Sequence, residues 1–173
     1  HPGQPSQQVE TCALCHSRHS AMAEPYVHGK PLSETHSLAL LTEDLYHADG
    51  QIEEEDYVYG SFVQSKMYAA GGVCTDCHDS HTLQPKIKGD GLCLQCHLPS
   101  RYSVQEHSHH ERVNCVDCHM PGKYYMGVDF RRDHSLRIPR PDLSQKIGSP
   151  NACTSCHQDK SVAWAAKAYV KWY

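Results

Sequence analysis

The chain has 173 residues, a formal net charge of -4, and only two Phe and two Trp, so its own apolar core can be only modest. An acidic chain is a poor binder of nucleic acid, because its charge is repelled by the phosphate backbone. No run of the sequence approaches the roughly 20 apolar residues that a membrane-spanning helix needs. Composition therefore excludes a nucleic-acid-binding role and a transmembrane helix within this sequence.

All ten cysteines fall in five Cys-x-x-Cys-His motifs. The motifs are Cys12, Cys15 and His16; Cys74, Cys77 and His78; Cys93, Cys96 and His97; Cys115, Cys118 and His119; and Cys153, Cys156 and His157. In a c-type haem, two such thiols bond to the porphyrin and the adjoining histidine binds the iron. We therefore expect five haem c groups attached through the ten cysteines, with the five motif histidines as proximal iron ligands.

Paired cysteines also occur in zinc sites and in disulfide frameworks. Zinc takes four ligands, so its Cys-x-x-Cys pairs should come in twos, and five pairs leave one over. Neither zinc nor disulfides require a histidine after each pair. Since His occupies 15 of 173 positions, five such histidines by chance have odds on the order of one in 200,000. The pattern therefore favours haem.

Five macrocycles would supply the apolar area and cross-links that a small chain with a thin core lacks. We therefore predict a multihaem cytochrome c fold with a haem core, mainly irregular with short α-helices and little or no β-sheet. His1–Glu10 is rich in Pro, Gln and Ser and is predicted to be loose. The expected organisation is an N-terminal arm at 1–11 and a single pentahaem domain at 12–173.

Local signals predict a few regular elements along the chain. Pro31–Leu45 has apolar residues at helical spacing and predicts a short helix, and Asp49-Gly50 predicts a turn. Glu53–Ala70 predicts a helix with an acidic first turn, ended by Gly71-Gly72. The Pro-bounded stretch Asp129–Pro141 is predicted to be extended.

The Ala-rich tail Ser161–Tyr173 predicts a C-terminal helix that packs on haem or on a partner. Its aromatic side carries Trp164 and Trp172. The motifs begin at positions 12, 74, 93, 115 and 153, and this uneven spacing argues against an array of structural repeats. The second and third motifs are so close in sequence that their haems should be neighbours in space.

Each iron has a second axial position, and ten histidines outside the motifs are available for the five positions. They are His1, His19, His28, His36, His47, His81, His107, His109, His110 and His134. Since the chain has only four Met, we expect histidine on both sides of every iron. Such an iron has no vacant position for a substrate and suits electron transfer rather than bond chemistry.

The predicted distal ligands are His36, His47, His81, His110 and His134, with His107 as the first alternate. His81 follows its motif histidine by three residues, so it can reach only an adjacent haem. Sequence spacing does not choose between His107 and His110. A role other than ligation is preferred for His19, His28, His109 and His1, and for His1 an alternative is to cap a haem of the next molecule.

Several stretches resemble the haem-bearing part of multihaem cytochromes c with a doubled Cys-x-x-Cys-His motif. They are YHADGQI, YVYGSFVQSKMY, GVCTDCHDSH, GLCLQCH, CVDCHMP, RRDHSLRIPRPDLS and PNACTSCH. Those cytochromes are often fused to tetratricopeptide repeats, and their haem packing is related to that of the pentahaem nitrite reductases and the hydroxylamine oxidoreductases. The resemblance covers about Cys12 to Tyr173. It implies distal ligands shortly before and after the Cys-x-x-Cys-His-Met-Pro motif, at His110 or His107 and at His134.

Two function hypotheses follow. The first is an exported electron carrier, periplasmic or extracellular, because c-type haem is attached outside the cytoplasm; His1 would then mark a processed start. Redox proteins or an extracellular acceptor would be its partners, and homopolymerisation into a cytochrome filament extends this hypothesis. The second is a small reductase of nitrite, hydroxylamine or a sulfur oxyanion, with one open haem. The Cys-x-x-Cys-Lys motif of the nitrite reductases does not occur in this sequence, so the resemblance implies architecture more than enzymatic activity.

Overall fold

The computed structural model of the protein describes residues 5–23, 25–54 and 57–173. Within them, the α-helices are α1 (Pro5–His16), α2 (Val58–Val63), α3 (Lys66–Ala69), α4 (Cys74–Cys77), α5 (Pro99–Tyr102), α6 (Gln105–Ser108), α7 (Cys115–His119), α8 (Pro141–Ile147), α9 (Ala152–Cys156) and α10 (Val162–Trp172). The 3-10 helices are Leu32–Glu34 and Gly89–Gln95, and the strands are β1 (His19–Ala21), β2 (His36–Leu38), β3 (Gly122–Tyr125) and β4 (Asp129–Arg132). β1 pairs with β2 and β3 with β4, each as a two-stranded sheet. The predicted architecture of short helices and irregular connections with little β-sheet is confirmed.

Contacts within the chain divide it into two compact units. The first comprises the chain up to Asp76 together with Tyr124–Leu136, and the second comprises Cys77–Lys123 and Arg137–Tyr173. The first motif lies wholly in the first unit, and the third, fourth and fifth motifs lie wholly in the second. The single pentahaem domain expected over 12–173 stays a prediction.

The small core of the first unit forms where α1 meets α2 and the 3-10 helix Leu32–Glu34. Val9 and Ala13, one turn apart on α1, are 2% and 0% exposed, and Leu32 is 0% exposed. The carboxylate of Glu10 accepts a hydrogen bond from the backbone N–H of Leu32 at 2.8 Å. This bond satisfies an amide at the start of the 3-10 helix that has no partner within the helix.

The N-terminal arm differs from the expectation. Residues 1–4 lie outside the described residues, but α1 begins at Pro5, so most of the predicted loose arm at 1–11 is helical. The segment contains Gln, Glu, Ala and Leu, which are good helix formers. Val9 is also buried in the core of the first unit, and this packing stabilises a helix that the polar composition of the segment does not predict. The first motif therefore begins inside a helix rather than after a free arm.

The helix predicted over Pro31–Leu45 is wrong. Only Leu32–Glu34 is helical, and His36–Leu38 forms β2, which pairs antiparallel with β1. The register places His19 opposite Leu38 and Ala21 opposite His36. Pairing with a strand from another part of the chain overrides the local helical spacing, because strand preference depends on packing context. His36, the first residue of β2, is buried, with 8% of its surface exposed.

The helix predicted over Glu53–Ala70 is divided into α2 and α3 at Ser65. The Ser65 hydroxyl accepts a hydrogen bond from the N–H of Tyr68 at 3.0 Å, which caps a new helix. Glu55 and Asp56 of the predicted acidic first turn lie outside the described residues. Gly71, with φ of +89°, ends α3, as the Gly71-Gly72 signal predicted.

In the second unit, the C-terminal helix α10 packs on α8 and α9. Ser161 caps its first turn by accepting a hydrogen bond from the N–H of Trp164 at 3.2 Å. Ala165 and Ala166 are 1% and 7% exposed, so small side chains allow α10 to approach its neighbours closely. Among the described residues, no helix combines the length and apolar character needed to cross a bilayer.

Replacing Leu32 by Ala tests the core of the first unit. Leu32 is fully buried, so Leu32→Ala should lower the free energy of unfolding by about 2–5 kcal/mol through lost burial and a residual cavity. Glu34→Ala, at an exposed position of the same 3-10 helix, should change it by less than about 0.5 kcal/mol. Denaturant unfolding of the purified protein measures both values, and similar losses in the two variants would contradict the assignment of the core.

Candidate haem sites

Each motif lies on a short helical turn. The first motif ends α1, the second begins with α4, and the fourth forms α7. The third starts in the 3-10 helix Gly89–Gln95 and ends just after it, and the two cysteines of the fifth lie on α9. In a helical turn, residues three apart lie on the same face. The Cys-x-x-Cys spacing therefore presents two thiols to one side, as attachment to a single macrocycle requires.

Aspartates reinforce the second and fourth motifs in the same way. Asp76 accepts a hydrogen bond from the N–H of Val73 at 2.9 Å, and Asp117 accepts one from the N–H of Asn114 at 3.0 Å. Each carboxylate thus reaches back to the residue that precedes the first cysteine of its motif. It satisfies a free amide at the start of the helix and fixes the turn that carries the two thiols.

The donor set fits haem better than zinc or disulfides. All ten cysteines are free thiols in the structure. Across residues 5–23, 25–54 and 57–173, no three His, Cys, Asp or Glu side chains converge as a metal-binding group. A zinc site would gather four ligands, whereas a c-type haem needs two thiols and one histidine spread along a turn, with a second ligand from elsewhere.

The third and fourth motifs are joined through Asp90. Its carboxylate accepts a hydrogen bond from the N–H of Cys115 at 2.9 Å, which links the 3-10 helix of the third motif to α7. Burial, with smaller contributions from Asp90 and Cys93, raises the pKa of the Cys115 thiol to about 12. The Asp90 carboxylate thus lies beside cysteines of both motifs.

The fourth and fifth motifs are also neighbours. α7 packs on α9, and burial raises the pKa of Cys118, with a further contribution from nearby Cys153. Burial likewise raises the pKa of Cys153. Attachment points of three successive motifs therefore lie close together within the second unit.

Several histidine rings are held by a hydrogen bond between Nδ1 and a backbone carbonyl. The pairs are His19 with Ser17 at 3.1 Å, His78 with Leu83 at 3.0 Å, His110 with Ser108 at 2.6 Å, His119 with Arg137 at 2.6 Å and His134 with Arg132 at 2.9 Å. A carbonyl can only accept, so Nδ1 carries the hydrogen and a neutral ring keeps its lone pair on Nε2. Metal-binding histidines show this arrangement, because the bond to the second nitrogen fixes the tautomer and the orientation.

Backbone strain accompanies these rings. The described non-glycine residues with positive φ include Leu83 at +60°, His109 at +54° and Leu136 at +50°. Leu83 supplies the carbonyl that holds His78, and Leu136 precedes Arg137, whose carbonyl holds His119. A bulky residue in this region is an outlier, and such outliers concentrate at functional sites.

Two motif histidines each lie near a second histidine of the segment His107–His110, which we call the histidine segment. The ring centres of His119 and His107 are 5.9 Å apart with planes inclined by 15°. Those of His157 and His110 are also 5.9 Å apart, with planes inclined by 43°. The prediction left His107 and His110 as alternatives, whereas the structure brings both to a motif histidine.

Two histidine rings at this separation would supply the two nitrogen ligands that a haem iron held between histidines takes. Burial, with the nearby rings of His119 and His109, lowers the pKa of His107. A lowered pKa favours the neutral ring, the form that binds a metal.

The other predicted distal ligands lie in different surroundings. His36 begins β2, and its Nδ1 lies 2.9 Å from the Thr35 hydroxyl. His47 faces the Glu53 carboxylate at 3.5 Å. His81 is exposed in the turn after the second motif, where its backbone N–H donates to Asp79 at 3.1 Å. The structure brings none of these three together with a motif histidine among the described ring contacts, and His1 lies outside the described residues.

Aromatic residues surround the two histidine pairs. Tyr102 contacts the rings of His97 and His107 edge-on, at 5.2 Å and 5.3 Å between ring centres. Trp164 lies 5.0 Å from His157, and Trp172 lies 6.0 Å from His110. The sequence marked Trp164 and Trp172 as one side of a helix but offered no signal for Tyr102, Asp90 or the carbonyl of Arg137.

Asp90 offers a direct test of the link between the third and fourth motifs. Asp90→Ala removes the acceptor for the Cys115 N–H and should lower the free energy of unfolding by about 1–3 kcal/mol, because the freed amide is partly buried. Asp90→Asn keeps an acceptor oxygen and should lose less than half as much. Denaturant unfolding of the mature protein compares the two variants. Equal losses of unfolding free energy would show that the negative charge of Asp90, and not its hydrogen bond to Cys115, stabilises the fold.

No protein-family model matches the sequence, and no curated protein matches it. Among solved structures, the crystal structure of the outer cell wall cytochrome OcwA is similar over 95% of this chain, with a TM-score of 0.69 and 18% sequence identity. This chain spans about half, 51%, of that cytochrome's length. The similarity establishes that the chain has a cytochrome fold, in agreement with the multihaem cytochrome architecture expected from its motifs.

Proposed function

We propose that this protein transfers electrons through five covalently bound c-type haems whose irons are each held between two histidines. The observation that carries the proposal is the pairing of His119 with His107 and of His157 with His110, each at 5.9 Å between ring centres. In each pair, one ring, that of His119 or His110, has Nδ1 bonded to a backbone carbonyl, so that its Nε2 remains for the metal. The cytochrome fold is consistent with this role.

The chain's own residues determine what such irons can do. When bound, each haem would supply a one-electron couple between ferric and ferrous iron. Histidines on both sides leave no vacant position for a substrate and need little movement between oxidation states. His119 is held firmly, because its Nδ1–H donates to the Arg137 carbonyl while the Arg137 N–H donates back to the His119 carbonyl at 3.0 Å.

Electron transfer also needs haems that are close together. The bond from Cys115 to Asp90 and the approach of Cys118 to Cys153 support close packing of the third, fourth and fifth haems. The haem of the second motif is also expected to lie close to that of the third, because only residues 79–92 separate the two motifs in the sequence. The rate of electron tunnelling falls exponentially with distance. The chain must therefore hold neighbouring porphyrin rings nearly in contact.

For the three remaining irons, we propose that the distal ligands come from the four histidines His36, His47, His81 and His134. His134 has the support of its Nδ1 bond to the Arg132 carbonyl at 2.9 Å. His36, in a buried position, has its Nδ1 near the Thr35 hydroxyl. His107 and His110 together with these four make six candidates for five positions, so one of the six is expected not to bind iron.

We place the protein outside the cytoplasm, in the periplasm or at the cell exterior, because thioether attachment of haem takes place there. The similar cytochrome OcwA is an outer cell wall protein by name, and a location of that kind would fit this placement. Redox proteins or an extracellular acceptor would be the partners. Homopolymerisation with contact between haems of neighbouring molecules extends the proposal.

A small reductase with one open haem is the second candidate function. The third motif favours it, since the His97 ring contacts Tyr102 at 5.2 Å whereas two other motif histidines face a second histidine. A ferric iron with an open side would be high-spin and would bind cyanide, and its ferrous form would bind carbon monoxide.

Metal analysis and spectroscopy of the mature protein test the proposal. We expect about five irons and no zinc per chain, low-spin ferric spectra for all haems, and no binding of carbon monoxide after reduction. Zinc, or fewer than five irons, would contradict the haem assignment. One haem that binds carbon monoxide in the unmodified protein would favour the reductase.

The axial pairs predict separate effects for two substitutions. His107→Ala should open the fourth haem and His110→Ala the fifth, so each variant should bind about one carbon monoxide per chain and the double variant about two. His28→Ala, which alters an exposed histidine away from the motifs, should bind none. If the two single variants open the same haem, or if neither opens one, the pairing is wrong.

A further inference from the structure

We propose that α10 positions the axial ligands of the fifth haem, with Trp172 and His109 holding the distal ligand His110 in place. This inference rests on the proposed function. It assigns a role to the C-terminal helix and to a histidine of the histidine segment that is not itself expected to bind iron.

Packing of α10 fixes where its aromatic side chains lie. Ala165 and Ala166 are buried, and they hold the helix closely on the rest of the second unit. Trp164 and Trp172 are two turns apart, about 12 Å along the helix axis. Each therefore reaches a different ligand: Trp164 contacts the motif histidine His157 at 5.0 Å, and Trp172 contacts His110 at 6.0 Å.

Trp172 makes its closest ring contact with His109. The two rings are nearly parallel, inclined by 8°, and their centres are 4.5 Å apart. The Nε2 atom of His109 is buried and has no hydrogen-bond partner among the described residues. Burial of an unsatisfied nitrogen is unfavourable, and stacking on Trp172, together with an edge-on contact to Tyr173 at 5.6 Å, offsets this cost.

Backbone conformation connects His109 to the ligands on either side. His109 ends α6 with φ of +54°, a left-handed conformation that redirects the chain between His107 and His110. The hydroxyl of Tyr173, the residue after α10, donates a hydrogen bond to the His107 carbonyl. The end of α10 thus holds the histidine segment through both a stacked ring and a backbone carbonyl.

The two ligands of the fifth haem differ in their need for support. His157 adjoins Cys156, so covalent attachment of the haem would keep it near the iron without help. His110 has no such attachment, and its ring is held by the Ser108 carbonyl at 2.6 Å and by the contact with Trp172. Loss of Trp172 should therefore release the distal ligand more than loss of Trp164 releases the proximal one.

Carbon monoxide binding to the reduced holoprotein tests this role. Trp172→Ala should raise the population of open fifth haem at least about 10-fold, the usual scale for loss of a residue that orients a metal ligand. Trp172→Phe keeps an aromatic ring and should restore most of the wild-type behaviour. Val170→Ala, at a position of α10 that is 70% exposed, should behave as wild type.

The identity of the opened haem distinguishes a positioning role from general loosening. The resonance Raman and redox signature of the haem opened by Trp172→Ala should match that of His110→Ala, and the double variant should open no additional haem. Because alanine at 172 could unfold α10, His109→Ala removes the same stacking from the other side and should open the same haem. A fifth haem that stays closed in both variants, or a different haem that opens, would overturn the inference.

Failure of this inference is separable from failure of the proposed function. If the unmodified protein has five low-spin haems and both variants remain closed to carbon monoxide, only the role of α10 is lost. If the unmodified protein lacks five low-spin haems, the proposed function itself fails, whatever the variants do.

Discussion

A carbonyl oxygen accepts hydrogen bonds and cannot donate them, and the candidate sites of this protein depend on that restriction. Where Nδ1 of a histidine meets a backbone carbonyl, the ring must carry its hydrogen there, and the neutral ring must keep its lone pair on Nε2. His78, His110, His119 and His134 all have this contact. The backbone thus selects the tautomer that binds a metal and sets the direction of the ring before any metal is considered.

The protein interior explains why such backbone control is needed. The described residues include nine buried hydrophobic side chains, and four of these nine are alanines. Large side chains such as Leu40 and Val128 are instead 76% and 82% exposed. An interior of this size cannot hold long loops in place through burial alone. We infer that covalently attached macrocycles provide the missing apolar contacts, and that caps such as Asp76 and Asp117 keep the attachment turns formed around them.

Features with local causes could be predicted from the sequence, and features with distant causes could not. The five motifs, the stop at Gly71 and the helix capped by Ser161 each depend on residues within a few positions of one another. The conformation of Pro31–Leu45 depends on the pairing of β2 with β1, and no local pattern within that stretch predicts this pairing. The same holds for the site: the motif identifies His119, but the carbonyl that orients it is 18 residues away at Arg137. The choice between His107 and His110 was open for this reason, because it depends on where α7 and α9 lie.

Placement of the histidine segment between two motifs has a consequence for electron transfer. His107 faces the fourth motif and His110 faces the fifth, although only two residues separate them. The left-handed conformation at His109 makes this possible, since it turns the chain between the two rings. If both rings bind iron as proposed, a movement of the segment would therefore affect the fourth and fifth haems together rather than one alone. Such coupling would bear on electron transfer, because the rate of tunnelling between two haems depends steeply on the gap that separates them.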